Sequence, residues 1–339
     1  MKLQSIATAC LGLAAGALLF GTSAQAQDVR LRFAAPVPER HWILQNDLFP
    51  WAKKLEAESG GRLAIDIQPV GVFGTPDKYL ELVESGVIDA AWFVPGYAPG
   101  QYPLTTAVEL PFLFDTAAHA STTFWTLYED GLLGDEYADV KPLALWMNVP
   151  YIIMTKNHPV KELSDLDGLK LRASGRMVGS VLEAIGATGV GMPASEMAEA
   201  IRLGVLNGTA FSHEAVEPFG IADQITDFNE IPVGSITHIV IMNKDKYESL
   251  PDDLKALIDE NSGLVLSEQL GRSYDTADAH AREKYAGNDQ YTTNEPSEAL
   301  MSDLETAVAP VVESWKEEAR AAGGDPDAIL ARIKELNGE

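Results

Sequence analysis

The chain has 339 residues, with 25 lysines and arginines against 50 aspartates and glutamates, a formal net charge of -25. So acidic a molecule repels nucleic acid and anionic membrane surfaces, which argues against both as partners. At 46% hydrophobic residues the chain has ample material for a packed core, and its length suggests about two domains rather than a disordered chain.

The first residues read as an export signal. Lys2 supplies a positive start, "LGLAAGALLF" is a short apolar run, and Ala24 to Ala26 place small residues where a signal peptidase cuts. Cleavage is expected after residue 26, which leads to the periplasm of a Gram-negative cell. The apolar run is too short for a span of roughly 20 residues, and no later stretch is long and apolar enough to cross a bilayer. Cys10, the one cysteine, lies within the signal. The processed chain therefore has no thiol for a disulfide, a zinc site or a nucleophile.

"VRLRFAAP" alternates as a strand does, and "HWILQNDLFPWAKKLEAESGG" repeats Trp42, Leu48, Trp51 and Leu55 at helical spacing before Gly60 and Gly61 stop it. "RLAIDIQPV" is a second strand. Two later stretches resemble each other: residues 74–93, "GTPDKYLELVESGVIDAAWF", and residues 194–211, "ASEMAEAIRLGVLNGTAF". Each reads as cap, helix, glycine and buried strand, with Thr75 and Ser195 as the caps. That order fits two similar lobes, and it also fits any α/β protein.

Residues 141–156, "KPLALWMNVPYIIMTK", form a nearly continuous apolar strand with Pro150 near its middle. Proline interrupts a ladder, so the chain is expected to pass there from one lobe to the other. "SITHIVIMNK", 235–244, is expected to bring it back. From Leu250 a helical pattern persists to about residue 288, broken only at Gly263 and Gly271, and further amphipathic helices end the chain.

Enzyme signatures are missing: there is no GxSxG elbow, HExxH or phosphate-binding loop. The six histidines are scattered, and none forms a ligand pair at helical spacing. Ser212, His213 and Glu214 suggest a triad, but adjacent strand residues point to opposite faces and cannot converge. No metal site or cofactor is expected.

The cations of "GLKLRASGR", residues 168–176, stand out in so acidic a chain. In a strand Lys170 and Arg172 share one face while Leu169 and Leu171 face the core. A guanidinium offers carboxylate a planar two-bonded fork, but on spacing alone a surface arginine paired with an aspartate is the ordinary reading. Arg176 fits that ordinary reading better, at the start of the next helix.

The stretch from "LSDLDGLKLR" through "LEAIGA" and "MPASE" to "AIRLGVLNG" resembles the central signature of the DctP-type solute-binding proteins of tripartite ATP-independent periplasmic (TRAP) transporters. "SGGRLAIDIQPVGVFG", "ELVESGVIDAAW", "VELPFLF" and "MNKDKYESLPDDLKALI" extend the likeness over nearly all of the chain beyond the signal. The resemblance implies an α/β, two-lobed periplasmic binding protein fold with hinge strands and a long helix spanning both lobes. The expected division is residues 27–149 with about 236–275 as the first lobe, and 150–235 with about 276–339 as the second. It further implies that the lobes close on an organic acid and that the closed form docks on TRAP membrane permease subunits driven by an ion gradient. Arg172 stands in the place of the family's carboxylate clamp.

Departures from the family pattern point to the ligand. Sialic-acid binders of the family carry polar groups where this chain has Val94 and Phe211, and a second arginine where it reads "YIIM". Ala194 replaces a ring. The remaining candidates are Trp92, Tyr97, Trp146 and Phe211 as an aromatic wall, Asn148 and His213 as polar contacts, and Trp42 with His41 at the entrance. Trp92 and Phe93 are strand neighbours, so at most one faces the cleft. The expected ligand is a monocarboxylate, aromatic or a 2-oxo acid. The alternatives are a C4-dicarboxylate or sugar acid, a binding protein of an ABC importer, and a periplasmic enzyme or ligand sensor.

Overall fold

The computed structural model describes residues 29–338. The export-signal reading of residues 1–26, Cys10 included, lies outside the described residues. Among the described residues eleven strands form two sheets: β1 (Val29–Ala34), β2 (Leu63–Gln68), β3 (Ala90–Phe93), β4 (Val140–Met147), β5 (Ile152–Thr155), β6 (Lys170–Ala173), β7 (Thr188–Gly191), β8 (Gly208–Phe211), β9 (Asp227–Asn229), β10 (Thr237–Asn243) and β11 (Thr292–Asn294). The first sheet runs β2-β1-β3-β10-β4 and the second β11-β9-β5-β8-β6-β7. The two share a plan. In each, three parallel strands (β2-β1-β3, and β7-β6-β8) meet an antiparallel partner, β10 or β5.

The helices are α1 (Phe49–Glu58), α2 (Tyr79–Glu84), α3 (Ala117–Glu129), α4 (Arg176–Ala184), α5 (Ala194–Arg202), α6 (Lys244–Glu248), α7 (Asp252–Glu260), α8 (Leu264–Ala286), α9 (Glu298–Ala321) and α10 (Pro326–Leu336). The two look-alike segments become α2–β3 and α5–β8, in matching places of the two sheets. Their caps differ from expectation. Thr75 makes no capping bond, and Ser195 sits inside the first turn of α5, which starts at Ala194 after Pro193.

The apolar run divides at its proline. β4 ends at Met147 in the first sheet and β5 begins at Ile152 in the second. The return segment runs alongside: Tyr151 N–H donates to the Gly234 carbonyl at 2.7 Å, and Val233 N–H to that of Tyr151 at 2.9 Å. Buried Glu109 accepts from the Thr237 N–H at 2.9 Å and from its hydroxyl at 2.6 Å, bracing the start of β10.

The long helix is α8. Gly263, at φ +68, precedes it, and Gly271 does not break it. A Cβ at Gly271 would lie 2.6 Å from Ser121 Oγ and 2.7 Å from the Ala117 carbonyl, so glycine here lets α8 cross α3 at backbone distance. Further along, Asp278 of α8 accepts from the His213 N–H at 2.9 Å, tying the same helix to the chain after β8. One helix thus grips both sheets. α10 turns back onto α3, where Asn337 meets His119 Nε2 at 2.9 Å and Arg332 pairs with Asp130 at 2.8 Å. Among the described residues no helix is long and apolar enough to cross a membrane.

Candidate functional site

Arg172 lies on β6 with 0% of its surface exposed. The sequence pattern put it on the outward face beside Lys170; Lys170 is exposed there, but Arg172 is covered by the opposite lobe. Its Nε donates to the Met192 carbonyl at 3.1 Å and its Nη2 reaches the Tyr97 hydroxyl at 3.4 Å. Phe211 lies under the guanidinium, 5.1 Å from ring centroid to Cζ. Nη1 has no hydrogen-bond partner, and among the described residues no carboxylate lies within ion-pairing distance. A buried cation without a counter-ion costs several kcal/mol. Arg176 is the contrast: it opens α4, is half-exposed, and pairs with Glu318 of α9.

Arg172 faces a small cavity of about 30 Å³ between the lobes. Tyr151, Ala194, Phe211, Glu214 and Phe219 line it from the second-sheet side, and His41, Trp92, Val94, Tyr97 and His238 from the first. Tyr274 of α8 completes the wall. The free space holds little more than water, which needs about 10–15 Å³ per molecule, so an organic ligand enters only when the walls part. The walls meet at Gly96, where a Cβ would stand 2.9 Å from the Ser174 carbonyl and 3.0 Å from Gly175 Cα.

The titratable groups around the cavity are mostly neutral. Burial pushes His41 down to about 3. It does the same to His238, helped by repulsion from His41 and Arg172. Burial raises Glu214 to about 7, although its carboxylate accepts from Ser212 Oγ at 2.7 Å and Trp42 Nε1 at 3.0 Å. Burial likewise raises Tyr151 even though Arg172 favours its phenolate. Arg172 is left as the charged donor in an aromatic chamber.

Four of the eight residues proposed from sequence meet here: Arg172, Trp92, Tyr97 and Phe211. Phe93 packs away from the cavity in the other core, as the strand alternation requires. Trp42 stands one layer out, in contact with Glu214 and edge-on to Tyr274 at 4.9 Å. Trp146 is fully buried behind Trp92, stacked on His238 at 5.3 Å. Asn148 does not line the cavity; its Oδ1 accepts from the Ile236 N–H at 2.8 Å and clips the two crossing segments together. His213 is likewise turned away. It lies between Glu230 (2.9 Å) and Asp278 (3.7 Å) and stacks on Phe228, a buried ion cluster under α8. Glu214, His238, Tyr151 and Phe219 escaped the sequence reading. His238 carried a faint signal: it alternates with apolar neighbours in "SITHIVIMNK", where a polar ring in a buried strand needs a partner.

The model of the bacterial extracellular solute-binding protein family 7, DctP, matches residues 33–318. The chain belongs to the DctP family. Two solved relatives superpose closely. A TRAP periplasmic solute-binding protein from Bordetella bronchiseptica, holding (R)- and (S)-mandelate, is 32% identical with a TM-score of 0.85, over 91% of this chain and 98% of that one. A TRAP solute-binding protein from Rhodoferax ferrireducens, holding copurified benzoate, is 30% identical with a TM-score of 0.86, over 91% and 97%. The 2,3-diketo-L-gulonate-binding periplasmic protein of Escherichia coli is 28% identical over 76% of this chain and 78% of its own length.

A larger groove of about 870 Å³ runs along α8. The groove's cations are already engaged: Lys284 with Glu217, Arg272 with Glu268, and Arg40 with the Pro218 carbonyl. The cavity, by contrast, holds a buried cationic N–H without a partner, Arg172 Nη1.

Proposed function

We propose that this DctP protein captures an aromatic monocarboxylate in the periplasm and hands it to TRAP permease subunits. The observation that carries the ligand reading is Arg172, whose free Nη1 opens into a chamber walled by Trp92, Phe211, Phe219 and Tyr274. One cation calls for one carboxylate. The rings offer flat apolar surface, worth about 25 cal/mol per Å² covered, and few partners for the hydroxyls of a sugar acid. The solved relatives with mandelate and benzoate support the same class. The export-signal reading and the family's extracellular description support the compartment. The reading is of a carrier in a transport family, and it assigns no reaction to the residues of the cavity.

The test is a thermal-shift and calorimetric screen of the purified protein, beside Arg172→Ala. The panel is benzoate, mandelate, benzoylformate, succinate and D-glucuronate. Benzoate or mandelate is expected to stabilise the protein by about 2.7 kcal/mol at a hundredfold excess over its Kd. The variant should bind ~30-fold to several thousandfold more weakly, as expected for truncating one partner of a buried pair. A shift with succinate or glucuronate alone would overturn the aromatic reading, and a shift that survives Arg172→Ala would remove the clamp.

A further inference from the structure

His238 sits on β10, 6% exposed, with its ring on the cavity wall. Its Nδ1 lies 3.1 Å from Trp92 Nε1. An indole N–H can only donate, so Nδ1 accepts and carries no proton. The groups around the ring are Trp92, Trp146 and Tyr274, with His41 and Arg172 close enough to repel a charge on it. None of them is an anion, and burial holds the ring neutral. In a neutral ring whose Nδ1 is bare, the proton must sit on Nε2. Trp146 and Tyr274 lie nearly parallel to the ring at 5.3 and 5.6 Å, with interplanar angles of 22° and 17°, and fix its plane. That Nε2–H has no hydrogen-bond partner.

We infer that His238 is a ligand contact whose Nε2–H donates to an oxygen of the bound acid, either the carboxylate oxygen beside Arg172 or one on the adjacent carbon. The inference rests on the carboxylate reading above and adds a second, neutral donor to the clamp. The pairing of buried donors is economical: a cavity holding an unbonded guanidinium N–H and an unbonded imidazole N–H suits an oxygen-bearing head group. Trp92 acts on the ligand twice, through its ring face and by setting the tautomer of His238.

The experiment compares His238→Phe, which keeps an aromatic ring but lacks the donor, with His238→Gln, whose amide can restore one. Each is titrated calorimetrically with mandelate and with phenylacetate, which lacks the 2-hydroxyl. His238→Phe should weaken mandelate about 10- to 100-fold, and His238→Gln should recover most of that. Loss for both acids assigns the carboxylate oxygen, and loss for mandelate alone assigns the 2-oxygen. Unchanged affinity for both overturns the inference. If neither acid binds the wild type, the aromatic reading fails on its own, and the same titrations are run with succinate and D-glucuronate, which keep the carboxylate. Nitrogen NMR of the ligand-free wild type is the independent arm, unaffected by any folding defect of the variants. A neutral ring protonated on Nε2 is expected from about pH 5 to pH 8; a charged ring, or one protonated on Nδ1, overturns the inference.

Discussion

The two lobes repeat one strand plan, yet they bring opposite chemistry to the cavity. The first-sheet side supplies the indole of Trp92, backed by Trp146, and two neutral histidines, packed ring on ring. The second supplies Arg172 and Glu214, with the rings of Tyr151, Phe211 and Phe219 beside them. Their buried histidines show the difference most plainly. His238 is hemmed in by rings and by Arg172, so its charge is suppressed. For His213 burial also opposes protonation, but Asp278 and Glu230 outweigh it and raise the pKa. Topology alone therefore does not decide what a wall can do; the local partners do. The diffuse field of an acidic molecule is screened over about 8 Å in salt, whereas Arg172 acts at contact in a small space. Binding an anion is compatible with a charge of -25 for that reason.

The sharpest way to break the comparison is to make the second lobe as apolar as the first. Arg172→Met removes a buried cation that has no anion. By analogy with apolar replacement of buried ions, the ligand-free protein should gain ~1–4 kcal/mol of stability while losing carboxylate binding. Urea unfolding without ligand reads the first effect and calorimetry the second. A variant less stable than wild type would mean that the bonds to Met192 and Tyr97 already satisfy the guanidinium, and the view of Arg172 as half of an ion pair would fall.

The two walls must also meet, and they do so at glycines. Gly96→Ala places a methyl against the Ser174 carbonyl and Gly175 Cα, backbone that cannot swing aside. Forcing such overlap costs about 1–3 kcal/mol, so affinity should drop ~5- to 150-fold. Unchanged affinity in a calorimetric titration would show that closure does not need this contact.

Much of this was legible in the sequence because it rests on local rules. Glycine and proline mark the ends of α1, α2 and α5 and the crossing after β4. Alternation sent Trp92 to the cavity and Phe93 to the core. What stayed hidden depends on partners far along the chain. Asn148 and His213 are polar residues near the right strands, and only the fold shows them bonded to Ile236, Asp278 and Glu230. Glu214 was visible in the triad-like cluster, but strand alternation does not apply there: the three residues follow β8 in a tight turn, Ser212 bonds Glu214, and His213 turns to Glu230 and Asp278. The role of Glu214 as cavity wall comes from Trp42, 172 positions away. His238 was missed for the same reason, since its tautomer is set by Trp92, 146 positions earlier.

The smallest expected effect separates the two histidines by pH. His213 has a raised folded pKa, so its contribution is full below the unfolded value near 6.5 and fades as pH rises through the folded pKa. Asp278 and Glu230 stay below the usual carboxylate range because His213 and Arg282 outweigh their burial; their share is present above about 4 and fades on acidification. His238 and His41 work the other way. Their folded pKa values near 3 lie below the unfolded value, so the unfolded chain binds more protons and stability falls as pH drops below about 6.5. The trends act in adjacent windows: from pH 8 to about 6.5 the His213 contribution grows as pH falls, and below about 6.5 the His238 and His41 contributions decline, opposed by the raised carboxyls of Glu214 and Glu109, which gain as pH falls from about 7. His213→Gln removes the first trend, so the gain in stability between pH 8 and about 6.5 should be lost. His238→Phe removes part of the other, so its stability should fall less than that of wild type, or rise. Urea unfolding at several pH values across this range reads both slopes. If the two variants share the wild-type slope, the opposite protonation of the two lobes is wrong, and with it the contrast between a neutral wall and a charged one.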